Sequence, residues 1–207
     1  WGAGLGESLP WLEPPPRAAF EEGRRQLLEL GALTPEGRPT DTGKKLARFG
    51  AHPRLGLLLL QSRAMGRPQV GADLASILNE RDLLSHNNHG SDLWARMLLL
   101  RDHRSSARIP GDRAAADRLR TVLDQSRRWL QQLDQFEQAQ EPQTIEASDE
   151  QLAAQLIATA FPEWIAVARP GQRGQFLLRQ GRGAALQVSD PLDGAEALAI
   201  AQLDLGD

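Results

Sequence analysis

Residues 30–55 read LGALTPEGRPTDTGKKLARFGAHPRL, and the prolines and glycines of this stretch determine the predicted fold of the first part of the chain. Pro35 and Gly37 separate two short segments, residues 32–34 and 38–40. Because proline and glycine favour tight turns, this arrangement predicts a hairpin that reverses direction at residues 35–37.

Helices are predicted on both sides of this hairpin. Apolar residues at helical spacing indicate a helix that begins at Arg17 and ends at Gly31. Two further helices are expected, one over residues 43–49 with Asp41 or Thr42 as its N-cap and one over residues 54–65. A helix, a hairpin and two helices are the elements of a winged helix in permuted order, so we predict a winged-helix domain over residues 1–66.

Residues 67–160 carry helical patterns only, which predicts a helical bundle. The expected helices cover residues 70–84, residues 92–105 with Ser91 as the N-cap, a long helix that has Asp112 as its N-cap and runs to about residue 139, and a helix to residue 161. The long helix would measure about 40 Å at the usual rise per residue. Ser148 and Gln151 have the spacing of a capping box at the start of the last helix.

The pattern changes to strands in residues 161–207. Four strands are predicted, over residues 164–169, 176–179, 184–190 and 197–205, with glycine-rich turns between them. Such strands favour a small β-barrel-like segment of OB type, incomplete at residue 207. The predicted fold class is therefore mainly α, with a winged helix and a helical bundle followed by this β-rich segment.

Basic side chains concentrate in the middle of the chain. Residues 1–60 carry 8 basic and 7 acidic side chains (net +1), residues 61–130 carry 12 and 8 (net +4), and residues 131–207 carry 4 and 12 (net −8). All basic residues except Lys44 and Lys45 are arginines, which bind phosphate through two parallel hydrogen bonds. The middle segment is therefore the candidate surface for a polyanion, although a GC-rich genome would also replace lysine by arginine.

Arginines at helical spacing form the candidate nucleic-acid site, which consists of Arg101, Arg104, Arg108, Arg113, Arg120 and Arg127. The last three recur every seven residues and lie roughly 130° from the apolar stripe of the long helix, so they are expected to face outward. Asp117 and Asp124 follow Arg113 and Arg120 by four residues and can pair with them. A solvated ionic face is therefore the alternative interpretation.

No catalytic, cofactor-binding or metal-binding residues are predicted. Residues 37–45 (GRPTDTGKK) depart from a phosphate-binding loop, because the second glycine is one residue late and Lys45 stands where Ser or Thr binds Mg²⁺. His86 and His89 lack the further ligands that zinc needs. The absence of cysteine excludes disulfides and a cysteine nucleophile, and it fits a reducing, cytoplasmic location.

No apolar run approaches the ~20 residues of a membrane span, and no secretory signal opens the chain. The chain begins at Trp1 and ends directly after an apolar stretch. We therefore expect it to be part of a longer protein, whose catalytic part lies elsewhere.

Four short motifs resemble, in their order, the helicase-associated region of DEAH-box RNA helicases: WLEPP at residues 11–15, LGAL at 30–33, TDTG at 40–43 and HPRL at 52–55. Further motifs resemble a bacterial branch of that family: ASILNERD at residues 75–82, SDL at 91–93, AFPEWIA at 160–166 and GRG at 181–183. At Glu163 and Trp164 the family has Asp and Arg, so an arginine role at that position is not carried over.

The resemblance implies a parent ATP-dependent RNA helicase in which two upstream RecA-like domains bind ATP and Mg²⁺. It also implies the order winged helix, ratchet bundle and barrel-like domain. Single-stranded RNA would pass between the RecA-like domains of the parent chain and these accessory domains. This segment would then form part of the RNA channel and couple domain motion to strand translocation, without ATPase chemistry of its own.

Two other functions stay open at this point. A winged-helix DNA-binding regulator with a helical oligomerisation domain would use residues 43–49 as its recognition helix, with Lys44, Lys45 and Arg48 on it. An interaction scaffold without nucleic-acid binding is compatible with the acidic last segment. The net charge of +4 on the middle segment, against +1 on the first, favours the bundle as the binding surface.

Overall fold

The computed structural model describes residues 9–80, 90–106, 113–136 and 146–204. The chain divides into two compact units, residues 1–57 and residues 58–207, and each is described by itself. The division into three domains, with boundaries at residues 66 and 160, stays a prediction.

The first unit contains helices α1 (Arg17–Glu29) and α2 (Asp41–Arg48) and the start of α3 (Pro53–Ala64). The predicted turn lies between α1 and α2: the Gly37 N–H donates to the Thr34 carbonyl and the Thr34 N–H donates to the Arg38 carbonyl, both at 2.8 Å. One antiparallel bridge, between Leu33 and Pro39, replaces the longer strands of a full hairpin. The winged-helix assignment itself stays a prediction.

Thr40 is the N-cap of α2, so the expectation of Asp41 or Thr42 at this position was wrong. The Thr40 backbone is extended, and its hydroxyl accepts a hydrogen bond from the Gly43 N–H at 3.0 Å and donates to the Gly31 carbonyl at 2.6 Å. Gly43 lies against the Ala32 carbonyl, where a Cβ atom would overlap the oxygen. The cap therefore joins the end of α1 to the start of α2, which a cap one residue later could not do.

The second unit is built around α4 (Pro68–Asn79), which is buried from Val70 to Ile77. It packs against α5 (Leu93–Ser106), α6 (Arg113–Asp134) and α7 (Asp149–Ala160). The predicted capping box of α7 is present, with Ser148 accepting from the Gln151 N–H. At the start of α5 the carboxylate of Asp92 accepts from the Trp94 N–H at 2.8 Å, whereas Ser91 was the expected cap.

The long helix of the bundle, α6, ends at Asp134, five residues before the predicted end. Its expected cap, Asp112, lies outside the described residues, as do residues 137–139. The buried side of α6 includes Leu119, Val122 and Trp129, which belong to the predicted apolar stripe.

A buried carboxylate, Asp73, lies in the middle of α4. Arg104 of α5 forms two hydrogen bonds with it, and the Ser126 hydroxyl of α6 donates to it at 2.6 Å. Gln69, one turn earlier on α4, donates to the same carboxylate at 2.9 Å. These contacts form a polar network that connects three helices, and we call it the Asp73 network.

A short 3₁₀ helix (Pro162–Trp164) leads into four antiparallel strands: β1 (Ile165–Arg169), β2 (Gln172–Leu178), β3 (Gly183–Ala185) and β4 (Ala197–Ala199). Their spatial order is β3-β2-β1-β4, and the sheet does not close into a barrel. Ala166, Phe176 and Leu178 are buried on one face, whereas Val167 and Leu177 are exposed on the other. The four predicted strands are thus confirmed, but as an open sheet.

Strands β3 and β4 are both shorter than predicted. β3 ends at Ala185, after which the chain turns at Asp190. Its buried carboxylate accepts hydrogen bonds from the Leu192 N–H at 2.9 Å and from the Ser91 N–H at 2.7 Å. Ser189, directly before it, has a positive φ of 68°.

Within the described part of the chain, no helix is both long and apolar enough to cross a membrane.

We expect Asp73→Ala to lower the free energy of unfolding by about 3 kcal/mol, because Arg104 would keep a partly buried charge without its partner. Urea denaturation followed by circular dichroism measures this loss. The matched control is Asp117→Ala, which removes an exposed carboxylate of α6 and should cost no more than about 0.5 kcal/mol. Equal losses in both variants would show that the Asp73 network adds no particular stability.

Candidate nucleic-acid interface

Arg120 and Arg127 lie on the exposed side of α6, with side chains 57% and 70% exposed. Each pairs with the aspartate three residues before it: Arg120 with Asp117 at 2.6 Å, and Arg127 with Asp124. The sequence had suggested pairs in which the aspartate follows the arginine by four residues. Exposed pairs of this kind contribute at most about 1 kcal/mol, so both guanidinium groups can exchange carboxylate for phosphate.

Arg101, on α5, is held by two different contacts. Its guanidinium pairs with Asp149, the first residue of α7, and its Cζ atom lies 5.4 Å from the centroid of the Trp94 ring. Asp149 also pairs with Arg67, which precedes α4. The carboxylate of Asp149 therefore joins two half-exposed arginines at one surface position.

Arg104 occupies a different environment, because its guanidinium binds the buried carboxylate of Asp73. It also donates to the Ser126 hydroxyl at 3.3 Å. A phosphate could take this arginine only by leaving Asp73 charged and unpaired inside the bundle. The contacts therefore indicate that Arg104 stabilises the bundle, and they make it less available than Arg101, Arg120 and Arg127, the other predicted site residues whose side chains the structure describes.

The side chains of the two remaining predicted site residues, Arg108 and Arg113, are not described by the structure. Arg113 begins α6, but its side chain lies outside the described residues. Arg108 lies outside them altogether. The nucleic-acid role of all six arginines stays a prediction.

Three further arginines lie in or beside the sheet and do not belong to the predicted site: Arg169 in β1, and Arg179 and Arg182 between β2 and β3. All three are exposed, and none forms an ion pair with any residue in the described ranges. Residues 165–189 contain four arginines and no acidic residue, and this pattern in the sequence indicates a basic surface at the sheet. The net charge of residues 131–207 conceals this stretch, because the acidic residues before and after the sheet outnumber its arginines. The fourth arginine, Arg173, pairs with Asp193 at 2.9 Å, which raises the pKa of the guanidinium.

The helix that a DNA-binding regulator would use is α2. Lys44 on this helix pairs with Asp41 at 3.0 Å, and this hydrogen bond lowers the pKa of the Asp41 carboxyl. Residues 37–45, considered above as a phosphate loop, form the turn before α2 and its capped first turn.

No group of three or more potential metal ligands lies close together in the described ranges. His86 and His89 are outside those ranges.

A search of known proteins finds a similar chain in Escherichia coli, the ATP-dependent RNA helicase HrpB. The two are 29% identical over 198 residues, which is 96% of this chain and 20% of HrpB. Two crystal structures of E. coli HrpB agree with the fold, with TM-scores of 0.69 and 0.65 at 28% identity over 95% and 90% of this chain. The chain is homologous to HrpB.

The second relative is a probable ATP-dependent RNA helicase of Saccharomyces cerevisiae, DHR2, which is 32% identical over 74 residues, or 36% of this chain and 10% of DHR2. No protein-family model matches the chain. The chain spans about one fifth of the length of HrpB, and the homology supports a helicase-associated region. The resemblance to DEAH-box helicases that the short motifs indicated is thereby confirmed.

Removing the two carboxylates beside Arg120 and Arg127 should strengthen binding to polyanions. We expect the double variant Asp117→Asn, Asp124→Asn to elute from a heparin column at higher salt than the unmodified chain, because two guanidinium groups lose their competing partners. The control with the same change in charge is Glu21→Gln, Glu29→Gln, which removes two carboxylates that pair with Arg17 and Arg25 on α1, where Arg25 keeps a second pair with Glu22. If both double variants elute at equally increased salt concentrations, the effect depends on net charge alone, and the exposed side of α6 is not a specific polyanion-binding surface.

Proposed function

We propose that this chain is the accessory region of an ATP-dependent RNA helicase, forming part of the RNA channel and coupling motion of the RecA-like domains to movement of the strand. The observation that carries the proposal is the similarity to HrpB, which extends over 96% of this chain. The partners are single-stranded RNA and the RecA-like domains of the same parent chain, and the location is cytoplasmic.

The exposed arginines of the bundle support the choice of RNA as the ligand. Arg101, Arg120 and Arg127 each pair with an aspartate, and the three side chains are 47% to 70% exposed. Weak pairs of this type keep a cation ordered on the surface without a large cost for its transfer to phosphate. Only weak binding is expected of this chain by itself, since the RecA-like half of the proposed channel belongs to another part of the parent chain.

The DNA-binding regulator is less well supported. Its recognition helix would be α2, which has 8 residues and carries Lys44 in an ion pair with Asp41. The relatives of this chain that are named above are RNA helicases, and neither is named as a regulator. Variants of α2 are nevertheless a useful control, because the two functions place the binding surface on different helices.

The affinity for single-stranded RNA should decrease as the salt concentration rises, and the steepness of the decrease should give the number of phosphates contacted. For single strands, the logarithm of the affinity changes with the logarithm of salt concentration by about −0.7 per phosphate contacted. We expect a slope for two or three contacts, from about −1.4 to −2.1. Fluorescence anisotropy with a labelled oligonucleotide at several salt concentrations measures it, and a salt-independent affinity would exclude phosphate contacts.

The arginine stripe and α2 can be compared directly by charge reversal. Replacing Arg113, Arg120 and Arg127 together by Glu should abolish RNA binding while the helical signal in circular dichroism stays, because the described side chains of this set lie off the buried side of α6. Replacing Lys44 and Lys45 by Glu should change the affinity little. The opposite result, with the lysines essential and the arginines silent, would favour the regulator.

The chemistry of ATP is proposed to reside in the RecA-like domains, which would hold ATP and Mg²⁺ in the parent helicase. Isothermal titration of this chain with ATP and Mg²⁺ should therefore give no binding heat at micromolar concentrations, with or without RNA. Saturable nucleotide binding would contradict this division of roles. The same titration with the intact parent helicase is the positive control.

A further inference from the structure

One face of α5 carries an aromatic, an apolar and a cationic side chain in succession. Trp94, Leu98 and Arg101 are spaced four and three residues apart, so they lie on the same side of the helix. We call this surface the Trp94–Arg101 platform. The function proposed above assigns Arg101 only a phosphate contact, and it uses neither Trp94 nor Leu98.

The guanidinium of Arg101 is fixed on two sides. The indole of Trp94 lies beneath it, with 5.4 Å between the Arg101 Cζ atom and the ring centroid, and Asp149 binds its edge. The side chain is nevertheless 47% exposed. A planar cation backed by an indole ring and held at its edge retains an open face, and such a face is a stacking surface for another flat π system.

Leu98 adds apolar surface to the platform. It is 43% exposed, and it is the one large apolar side chain this exposed on the helices that the structure describes. It lies between Trp94 and Arg101 along the same face. A nucleobase lying on the platform would cover this apolar surface together with the exposed face of the guanidinium.

A cation for the neighbouring phosphate is also present. Arg67 pairs with the same Asp149 carboxylate as Arg101, and its side chain is 46% exposed. The two guanidinium groups therefore lie on either side of one carboxylate. One can face a base while the other binds the phosphate beside it.

We propose that the Trp94–Arg101 platform stacks a nucleobase of single-stranded RNA, with Arg67 on the adjoining phosphate. The proposal rests on the RNA-binding function proposed above and adds base contact to it. Every nucleobase has a π face, so stacking does not depend on the RNA sequence. Such a contact suits a strand of any sequence that moves past the protein. Purines, which have the larger rings, should bind more tightly than pyrimidines.

The test compares two labelled oligonucleotides of equal length, one of adenylates and one of abasic nucleotides, which carry the same phosphates without bases. Fluorescence anisotropy should show about tenfold tighter binding of the adenylate strand to the unmodified chain. Arg101→Lys keeps the positive charge but replaces the planar guanidinium by an ammonium group. The ratio of the two affinities should therefore fall to about twofold or less. Trp94→Leu, which removes the ring beneath the guanidinium, should lower the ratio in the same direction.

The matched control is Arg173→Lys. Arg173 also forms an exposed pair with an aspartate, Asp193, and the structure places no aromatic ring beneath it among the described residues. This variant should keep the full preference for the adenylate strand, and circular dichroism confirms that all variants are folded.

Each result has one interpretation. Equal binding of both strands to the unmodified chain overturns the stacking proposal and leaves the RNA-binding function intact. An equal loss for both strands in Arg101→Lys shows a phosphate contact only, which also overturns stacking. Binding of neither strand overturns the RNA-binding function together with the platform.

Discussion

The bundle depends on how it compensates one buried charge. Asp73 lies in the buried part of α4, and a carboxylate in that position is stable only with several hydrogen-bond donors around it. Arg104, Ser126 and Gln69 supply them from α5, α6 and α4. Because these bonds are directional, they fix the rotation of α5 about its own axis as well as its distance from α4. Arg101, one turn earlier on α5, is thereby held at the surface next to Trp94 and Asp149.

The elements of the fold could be predicted because they depend on local signals. The turn at residues 35–37 follows from Pro35 and Gly37, and the start of α7 follows from the pair Ser148 and Gln151. The cap of α2 could not be chosen in this way. Three consecutive residues, Thr40 to Thr42, all have side chains that can cap a helix, and contacts with the end of α1 select Thr40. The turn that follows β3 likewise involves Asp190, whose partner Ser91 is distant in sequence.

The candidate site was predictable only as a set of arginines, because spacing does not reveal the partner of each. Arg101 and Arg104 are close in sequence and equally basic, yet one guanidinium is half-exposed and the other binds a buried carboxylate. A pattern of charges cannot separate these cases, since the difference arises from Asp73 and Asp149 on other helices. The sheet arginines show a second effect: a net charge summed over a long segment conceals a short basic stretch between acidic ones.

The buried carboxylate of Asp190 has a consequence for how the second unit folds. Its hydrogen bond to Ser91 joins residues that are 99 positions apart, at the start of α5 and at the turn beyond β3. Closing so long a loop costs chain entropy that no local contact repays. We therefore expect the bond to form late, after the helices between its ends have formed and brought those ends closer together. The sheet and the bundle then gain their final stability in the same step, so that neither is expected to melt independently of the other.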